Sequence, residues 1–229
     1  LTRNPRTDLV AICDVEESTA RSIAEEYGIR PYFDVEEMLA ELDLDWVHIC
    51  TPVQTHLPIA KTVIEAGIPV QIEKPITETY AEFEELASFA DRHGVVVSEK
   101  HNHDFDPVVR AAIQRKRDGK LGDIRGVDVI YTGSSRPDDP NRGPWNFDLA
   151  GGEFEEGIPH PIYMTLRAGG YPRSEADIDA TTALHEEYDR PFTYDGAQLQ
   201  YVTDDEVLCT TKVLGGTRPV RQLLIHGEK

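Results

Sequence analysis

Residues 46–75 decide the fold, and they read WVHICTPVQTHLPIAKTVIEAGIPVQIEKP. Two short apolar runs rich in β-branched residues, 46–50 and 69–72, are typical of strands that are buried on both faces. Between them, residues 58–66 carry apolar side chains at helical spacing, and Gly67 follows as a C-terminal stop. The stretch therefore predicts two strands joined by a helix, which makes the strands parallel.

The same alternation continues on both sides of this unit. Strands are predicted at residues 9–13 and 95–98, and helices at 18–27, 35–42 and 80–93. Gly28 and Gly94 follow two of these helices as further stops. Residues 1–101 are thus predicted to form an α/β domain of the Rossmann type, built on a parallel sheet.

The pattern changes in residues 102–229, which we interpret as a second domain. Helices are predicted at 107–117 and around 162–166, and strands at 124–131, 177–184, 197–202, 207–213 and 218–225. Residues 133–152 are rich in Pro, Gly, Asp and Asn, which predicts a long functional loop. Successive strands without helices between them indicate an α+β domain with a largely antiparallel open sheet.

The charge balance excludes several classes of partner. The chain has 42 acidic and 23 basic residues and a formal net charge of −19. Such a surface repels the phosphates of nucleic acids and anionic lipids, so we expect neither nucleic acid nor membrane as a partner. Because 39% of the residues are hydrophobic, the acid excess covers a folded core, a pattern typical of proteins adapted to high cytoplasmic salt.

Cysteine usage and hydropathy indicate a cytoplasmic protein. Cys13, Cys50 and Cys209 lie far apart and form no CxxC pair, so neither a disulfide framework nor a thiolate zinc site is expected. No apolar run approaches the roughly 20 residues of a membrane span, and the first residues lack the apolar core of a signal peptide.

Asp14 is a candidate residue for binding a nucleotide. It follows the predicted strand 9–13, where a carboxylate can bind the two ribose hydroxyls of an adenosine. This favours NAD over NADP, although Arg21 one helix turn further on leaves NADP open. The alternative is that Asp14 caps the helix that begins near Ser18.

A dinucleotide-binding domain also needs a glycine-rich turn after its first strand, where the backbone approaches the pyrophosphate. The sequence contains no such turn, and residues 1–8 resemble the end of a connection into a strand. We therefore expect the domain to lack its first strand and glycine loop, and the second domain to be incomplete after Gly227. On this view the 229-residue chain alone binds NAD weakly.

Two further segments follow predicted strands of the first domain. Thr51 and Pro52 come directly after the strand 46–50, where loops line the cofactor crevice, although a Pro can simply end a strand. Lys74 follows the strand 69–72 between Glu73 and Pro75, and an ammonium group there can donate to a substrate hydroxyl. The alternative is an ordinary surface lysine.

The order of these residues resembles the Gfo/Idh/MocA family of glucose-fructose oxidoreductase and inositol dehydrogenase. The resemblance rests on Asp14, on ICTP followed by His56, on EKP, and on a Gly-Gly pair followed by His160. It implies that Lys74 is catalytic, that Glu73 is its neighbour on the cofactor side, and that Thr51, Pro52 and His56 belong to the cofactor site.

The resemblance also assigns roles in the second domain. The stretch GGEFEEGIPHPIY, residues 151–163, is similar to the family pattern GGxxxDxGxHxxD. His160 matches the histidine that accepts the hydroxyl proton, and Glu156 stands where the family has Asp, one helical turn before it. Pro161 is expected to interrupt a regular helix here. Trp145 matches a loop residue near the nicotinamide, or else anchors the loop.

His101 and His103 stand one residue apart and raise the question of a metal. A third ligand is not evident, so we expect no metal and interpret this segment as a hinge between the domains. The resemblance as a whole implies an NAD(P)-dependent oxidoreductase acting on a CH–OH group of a sugar or polyol, in a dimer or tetramer. Two alternatives remain: an NAD-dependent glycosidase of the same superfamily, and a non-catalytic NAD-sensing relative.

Overall fold

The computed structural model describes residues 4–133, 138 and 144–229. The chain divides into two units, Leu1–Lys100 (unit 1) and His101–Lys229 (unit 2). Part of the predicted loop 133–152 therefore lies outside the described residues. None of the described helices is long and apolar enough to cross a membrane.

Unit 1 alternates short strands with helices, as the sequence predicts. Its strands are β1 (Ala11–Cys13), β2 (Arg30–Tyr32), β3 (Val47–Ile49), β4 (Val70–Ile72) and β5 (Val97–Glu99). Its helices are α1 (Glu17–Tyr27), α2 (Val35–Glu41), α3 (His56–Glu65) and α4 (Tyr80–His93). The sequence missed β2, because a three-residue strand that contains Pro31 carries no alternating pattern.

The strands of unit 1 are parallel, but they form two hydrogen-bonded groups rather than the one sheet that the sequence predicts. Strand β1 pairs with β2, and β4 lies between β3 and β5. These groups correspond to strands 3-2 and 4-5-6 of the doubly wound order 3-2-1-4-5-6, in which strand 1 joins them. The described residues of unit 1 include no strand at that position.

Burial on both faces explains the apolar strands of unit 1. Val70 and Ile72 of β4 are fully buried, and they share a core with side chains of α3 and α4. Helix α4 begins at a capping box in which Thr79 and Glu82 bond each other's backbone, and it ends at Gly94 in the left-handed conformation. These two signals fix the bounds of the helix at the predicted residues.

Unit 2 combines helices with one mixed sheet. Its helices are α5 (Pro107–Arg117), α6 (Gly152–Gly157) and α7 (Pro159–Gly169), and short 3-10 helices lie at Asn102–Phe105, Pro144–Asp148 and Glu175–Asp177. Its strands are β6 (Ile124–Thr132), β7 (Asp179–Ala183), β8 (Gly196–Val202), β9 (Leu208–Leu214) and β10 (Val220–Gly227).

The sheet of unit 2 has the order β10-β6-β9-β8-β7. Three of its four pairings are antiparallel, and β6 with β9 is parallel. This confirms the predicted α/β domain followed by a domain with a largely antiparallel sheet. One face is covered by α5 and α7, and the core there includes Val127, Val129 and Cys209. By contrast, all five residues of β7 are exposed.

Helix α7 corrects the prediction that Pro161 interrupts a regular helix at that point. The helix runs from Pro159 to Gly169 with both prolines in its first turn. The N–H groups of a first turn have no acceptor within the helix, so proline costs little there. At the other end the helix meets the sheet closely, because a Cβ on Gly169 would overlap the Sγ of Cys209.

Candidate functional site

In unit 1, the candidate residues lie where parallel strands end. Asp14 follows β1, Thr51 comes two residues after β3, and Glu73 and Lys74 follow β4. The carboxyl ends of parallel strands in one group meet at one edge, which is where open α/β sheets bind ligands. The backbone itself therefore gathers Thr51, Glu73 and Lys74 at the edge of the β3-β4-β5 group.

Asp14 is partly buried, and its Oδ1 accepts a hydrogen bond of 2.9 Å from the N–H of Glu16. The bond organises the entry into α1, as the capping alternative expects. The surroundings are acidic as well. Burial raises the pKa of the Cys13 thiol, and the nearby carboxylates of Asp34, Asp14 and Glu37 raise it further.

Arg21, the residue that left NADP open, is engaged with neighbours in unit 1. Its Nη2 lies 3.1 Å from the Oε2 of Glu17, and its guanidinium carbon lies 4.7 Å from the ring centroid of Phe33. The Arg21 guanidinium is therefore engaged with Glu17 and Phe33, and the surroundings of Asp14 stay acidic.

His56 connects the loop after β3 with the loop after β4. Its side chain is 1% exposed, with Nε2 lying 2.8 Å from the carbonyl oxygen of Thr51 and Nδ1 lying 3.0 Å from that of Pro75. The loop after β3 is tightened further, since the Thr55 hydroxyl donates to the carbonyl of Pro52 at 2.7 Å. His56 therefore braces the two loops at the carboxyl edge.

Lys74 is only 9% exposed, so it is not the ordinary surface lysine that the sequence left as an alternative. The peptide bond between Lys74 and Pro75 is cis. Next to it, the Glu73 carboxylate lies 3.1 Å from the ammonium of Lys100, which follows β5. A buried amine beside a paired carboxylate is an arrangement suited to holding a substrate oxygen.

In unit 2, the candidate residues lie on three short helical segments. Trp145 is partly buried on the 3-10 helix Pro144–Asp148, Glu156 lies on α6, and His160 is the second residue of α7. Glu156 and His160 lie on successive helices that are separated by Ile158, whose own backbone is helical.

The structure adds neighbours to His160 that the sequence did not identify. The ring centroid of His103 lies 4.8 Å from that of His160, with the rings nearly perpendicular. Tyr163, one turn further along α7, has its ring centroid 6.0 Å from that of His160 and 3.9 Å from that of His101. We call His101, His103, His160 and Tyr163 the histidine cluster.

Tyr163 holds the cluster together. Its hydroxyl oxygen accepts a 2.8 Å hydrogen bond from the backbone N–H of His103. Burial raises the pKa of Tyr163 to about 12, and the carboxylates of Asp104 and Asp106 add to the shift, although the His103 N–H acts in the opposite direction. The phenol therefore stays neutral at physiological pH. The spacing of three residues between His160 and Tyr163 was the sequence signal that could have revealed this contact.

The cluster also has two bound carboxylates at its border. The Nδ1 of His103 lies 2.8 Å from Asp106 Oδ2, and the Nε of Arg167 lies 3.7 Å from Asp104 Oδ2. The pair His101 and His103 lies on a 3-10 turn and its preceding residue, not on a strand. Among the described residues, no three His, Cys, Asp or Glu side chains are arranged to hold a metal ion.

Comparison with known proteins identifies the first unit. Residues 1–101 match the family model described as an oxidoreductase family with an NAD-binding Rossmann fold. The match covers β1 to β5 and therefore the edge that carries Asp14, Thr51 and Lys74.

Two curated relatives extend beyond this unit. The dTDP-3,4-didehydro-2,6-dideoxy-alpha-D-glucose 3-reductase of Streptomyces violaceoruber is 30% identical over 164 residues, which are 70% of this chain and 46% of the relative. The D-glucoside 3-dehydrogenase of Escherichia coli strain K12 is 32% identical over 124 residues, which are 54% of this chain and 35% of the relative. The chain thus spans less than half the length of either relative.

A solved structure resembles the whole chain. The crystal structure of GenD2 from gentamicin A biosynthesis in complex with NAD matches with a TM-score of 0.82 and 26% identity. The match covers 100% of this chain and 65% of that one. The likeness therefore includes unit 2, which the family model does not reach.

Proposed function

We propose that this chain, whose residues 1–101 match the Gfo/Idh/MocA oxidoreductase family model, is part of an enzyme that transfers a hydride between NAD and a CH–OH carbon of a sugar or polyol. The observation that carries the proposal is the burial of Lys74 at the carboxyl end of the middle strand of β3-β4-β5. Two named relatives act on sugars or glucosides, which supports this substrate class.

The residues of unit 1 fit an NAD molecule at two of its parts. The Asp14 carboxylate and its acidic surroundings suit the ribose hydroxyls of the adenosine and oppose the 2′-phosphate of NADP. The loops after β3 and β4 would hold the nicotinamide half through Thr51, Pro52, His56 and Glu73. NAD supplies the hydride acceptor when it is bound.

The chemistry left to the protein is the handling of one proton. The Lys74 ammonium donates a hydrogen bond to the substrate oxygen and stabilises negative charge there as the proton leaves. His160 accepts that proton, since an imidazole exchanges protons near neutral pH. Glu156 on the preceding helix is the carboxylate that the family resemblance assigns as the partner of His160.

The proposal is tested with the whole gene product, screened against polyols and sugars for the appearance of NADH absorbance. With a substrate in hand, Lys74→Met should lower kcat/KM by about 10²- to 10⁴-fold, the usual contribution of such a group. Lys61→Met is the matched control, because Lys61 pairs with Glu85 on the helices of unit 1, and its activity should stay within about twofold. Equal activity of both variants would contradict the role of Lys74.

Cofactor choice has its own test. Replacing Asp14 with Ser should raise the Kd for NAD and reduce the protein's preference for NAD over NADP by about tenfold. The reason is that the side chain no longer bonds the ribose hydroxyls of NAD or repels the 2′-phosphate of NADP. Isothermal titration with both cofactors measures the ratio. An unchanged ratio would mean that the side chain serves only the turn into α1.

The finer properties of the protein belong to the same proposal. We infer a homo-oligomer, a dimer or tetramer that associates through the sheet of unit 2, and the exposure of all five β7 residues supports this. We also infer a cytoplasmic enzyme, on the basis of its three widely separated cysteines, and adaptation to high salt, on the basis of the −19 net charge. Sedimentation equilibrium of the gene product tests the association, and a monomer at micromolar concentration would contradict it.

A further inference from the structure

We propose that His103 and Asp106 form a proton relay that carries the proton accepted by His160 to solvent. The inference rests on the proposed function, in which His160 takes the substrate hydroxyl proton. A histidine that accepts a proton in every turnover must release it before the next one. The His103–Asp106 pair supplies a path for that release, and neither residue was assigned a role by its resemblance to the family pattern.

The geometry places the three groups in series. The ring centroids of His160 and His103 lie 4.8 Å apart at an interplanar angle of 80°, so the edge of one ring meets the other. The Nδ1 of His103 lies 2.8 Å from the Oδ2 of Asp106. Proton transfer needs heavy atoms within about 2.6–3.2 Å, directly or through one water. The His103–Asp106 pair meets this requirement, and the two imidazole rings are in edge-to-face contact.

The outer end of the series is open to solvent. His160 and His103 are both partly buried, whereas the Asp106 side chain is 54% exposed, compared with 16% for that of His103. Asp106 also precedes α5, yet among the described residues its carboxylate makes no capping bond to that helix. The carboxylate is therefore committed to His103 and to water, as the last group of a relay must be.

Other groups packed around His103 hold its ring in place. Tyr163 on α7 accepts the backbone N–H of His103, and Tyr131 on β6 has its ring centroid 6.2 Å from that of His103. Arg221 on β10 lies over the Tyr131 ring at 4.7 Å. The other charged pair at this border is Asp104 with Arg167. The tyrosines stay neutral, since burial raises the pKa of each.

The proton balance of the relay is simple. His160 passes its proton to the Nε2 of His103, and the Nδ1 proton of His103 moves to Asp106, which releases it to water. Rotation or tautomer exchange of the His103 ring then restores the starting state. Neither a redox step nor a further reactant is required.

The test uses chemical rescue in the whole gene product, with NAD and the sugar or polyol that the screen identifies. His103→Ala should lower kcat by about tenfold or more, change KM by less than about twofold, and regain kcat as imidazole is added. Wild-type kcat should not depend on the imidazole concentration. Asp106→Asn, which keeps the shape of the side chain, should lower kcat less, and added buffer should restore it.

A matched control comes from a second histidine–carboxylate pair in unit 2. His226 Nε2 lies 2.7 Å from Asp128 Oδ2 on strands β10 and β6, and the His226 side chain is 54% exposed. His226→Ala removes an equivalent pair outside the cluster and should change neither kcat nor its imidazole dependence. Circular dichroism of each variant shows whether it is folded.

The possible outcomes separate the two proposals. A wild-type protein without any NAD-linked turnover would overturn the proposed function. An active wild type whose His103→Ala and Asp106→Asn variants keep full kcat, or lose it without rescue by imidazole, would overturn the relay alone. A pH profile of kcat that becomes dependent on buffer concentration only in these variants supports it.

Discussion

In unit 1 the candidate residues follow directly from strands, whereas in unit 2 they come from segments far apart in the chain and meet through side chains. Thr51, Glu73 and Lys74 follow β3 and β4, so their positions depend on backbone hydrogen bonds. His103 and Tyr163 are 60 residues apart and are joined by one hydrogen bond. The comparison indicates that single side chains matter more for the structure of unit 2 than for that of unit 1.

The largest effect is expected at Asp195 in unit 2. This carboxylate is 2% exposed and accepts hydrogen bonds from the backbone and ring of His185 and from the Tyr188 hydroxyl. Asp195→Ala should lower the free energy of unfolding by about 3 kcal/mol, because it leaves a cavity at a buried position and removes the acceptor of several partly buried hydrogen bonds. Urea unfolding measures this free energy. The control is Asp128→Ala, which removes a carboxylate that is 37% exposed and should lower the free energy of unfolding by less than about 1 kcal/mol.

Asp195 also predicts a pH dependence. Burial alone would raise the pKa of Asp195, but the hydrogen bonds from His185 and Tyr188 outweigh it and hold the pKa below its usual value. A carboxyl with a lowered pKa in the folded state stabilises the fold at pH values above its unfolded pKa, about 3.9. The difference in the free energy of unfolding between wild type and Asp195→Ala should therefore shrink as the pH falls below about 4. A constant difference would contradict the assignment.

A smaller effect is expected at His56, the brace of unit 1. His56→Ala removes both ring nitrogens that contact the carbonyls of Thr51 and Pro75, and the free energy of unfolding should fall by about 2 kcal/mol. His93→Ala serves as the control, since His93 is exposed and bonds only its own helix at Phe89, with an expected change below about 0.5 kcal/mol. If His56→Ala destabilised more than Asp195→Ala, the contrast between the units would be wrong.

Tyr163→Phe sharpens the comparison within unit 2. The His103 N–H loses its acceptor, so the free energy of unfolding should fall by about 1 kcal/mol. Because burial raises the pKa of Tyr163 to about 12, its neutral hydroxyl stabilises the fold fully below pH of about 10 and loses this contribution as the pH rises towards 12. Burial raises the pKa of Tyr194 and Tyr201 as well, so phenolate absorbance during alkaline titration should show one fewer late-titrating tyrosine in the variant than in the wild type.

The smallest effect concerns both units together. Screening of the −19 net charge should raise Tm by about 3 °C between low and molar KCl, as self-repulsion weakens. Differential scanning calorimetry measures the shift. A Tm that does not rise would remove the interpretation of salt adaptation.

Local signals explain which parts of the fold the sequence predicts. Helices α4 and α5 begin and end at the predicted residues, because Thr79 with Glu82, Gly94 and Pro107 are strong boundary signals. The helix α7 was misjudged at Pro161, since its start was placed too late in the chain. A proline inside a helix and a proline in its first turn look the same until that start is known.

The candidate site also contains residues that the sequence identifies and contacts that it does not. Residues at the ends of apolar strands, such as Asp14 and Lys74, can be found from the sequence because the strand itself marks the position. The contact of His103 with His160 could not be found, because it depends on how α7 packs against the sheet of unit 2. Tertiary packing of this kind leaves no periodic signal in a single sequence.

Gly169 at the end of α7 influences the position of His160 near the start of the same helix. It ends the helix that carries His160 at its second residue, and the space of its absent Cβ is occupied by Cys209. Nine residues of α-helix span about 13 Å and move as a rigid rod. A larger residue at 169 would require either the Cys209 side chain or that end of α7 to move, and a movement of the helix would also displace the His160 imidazole near its other end.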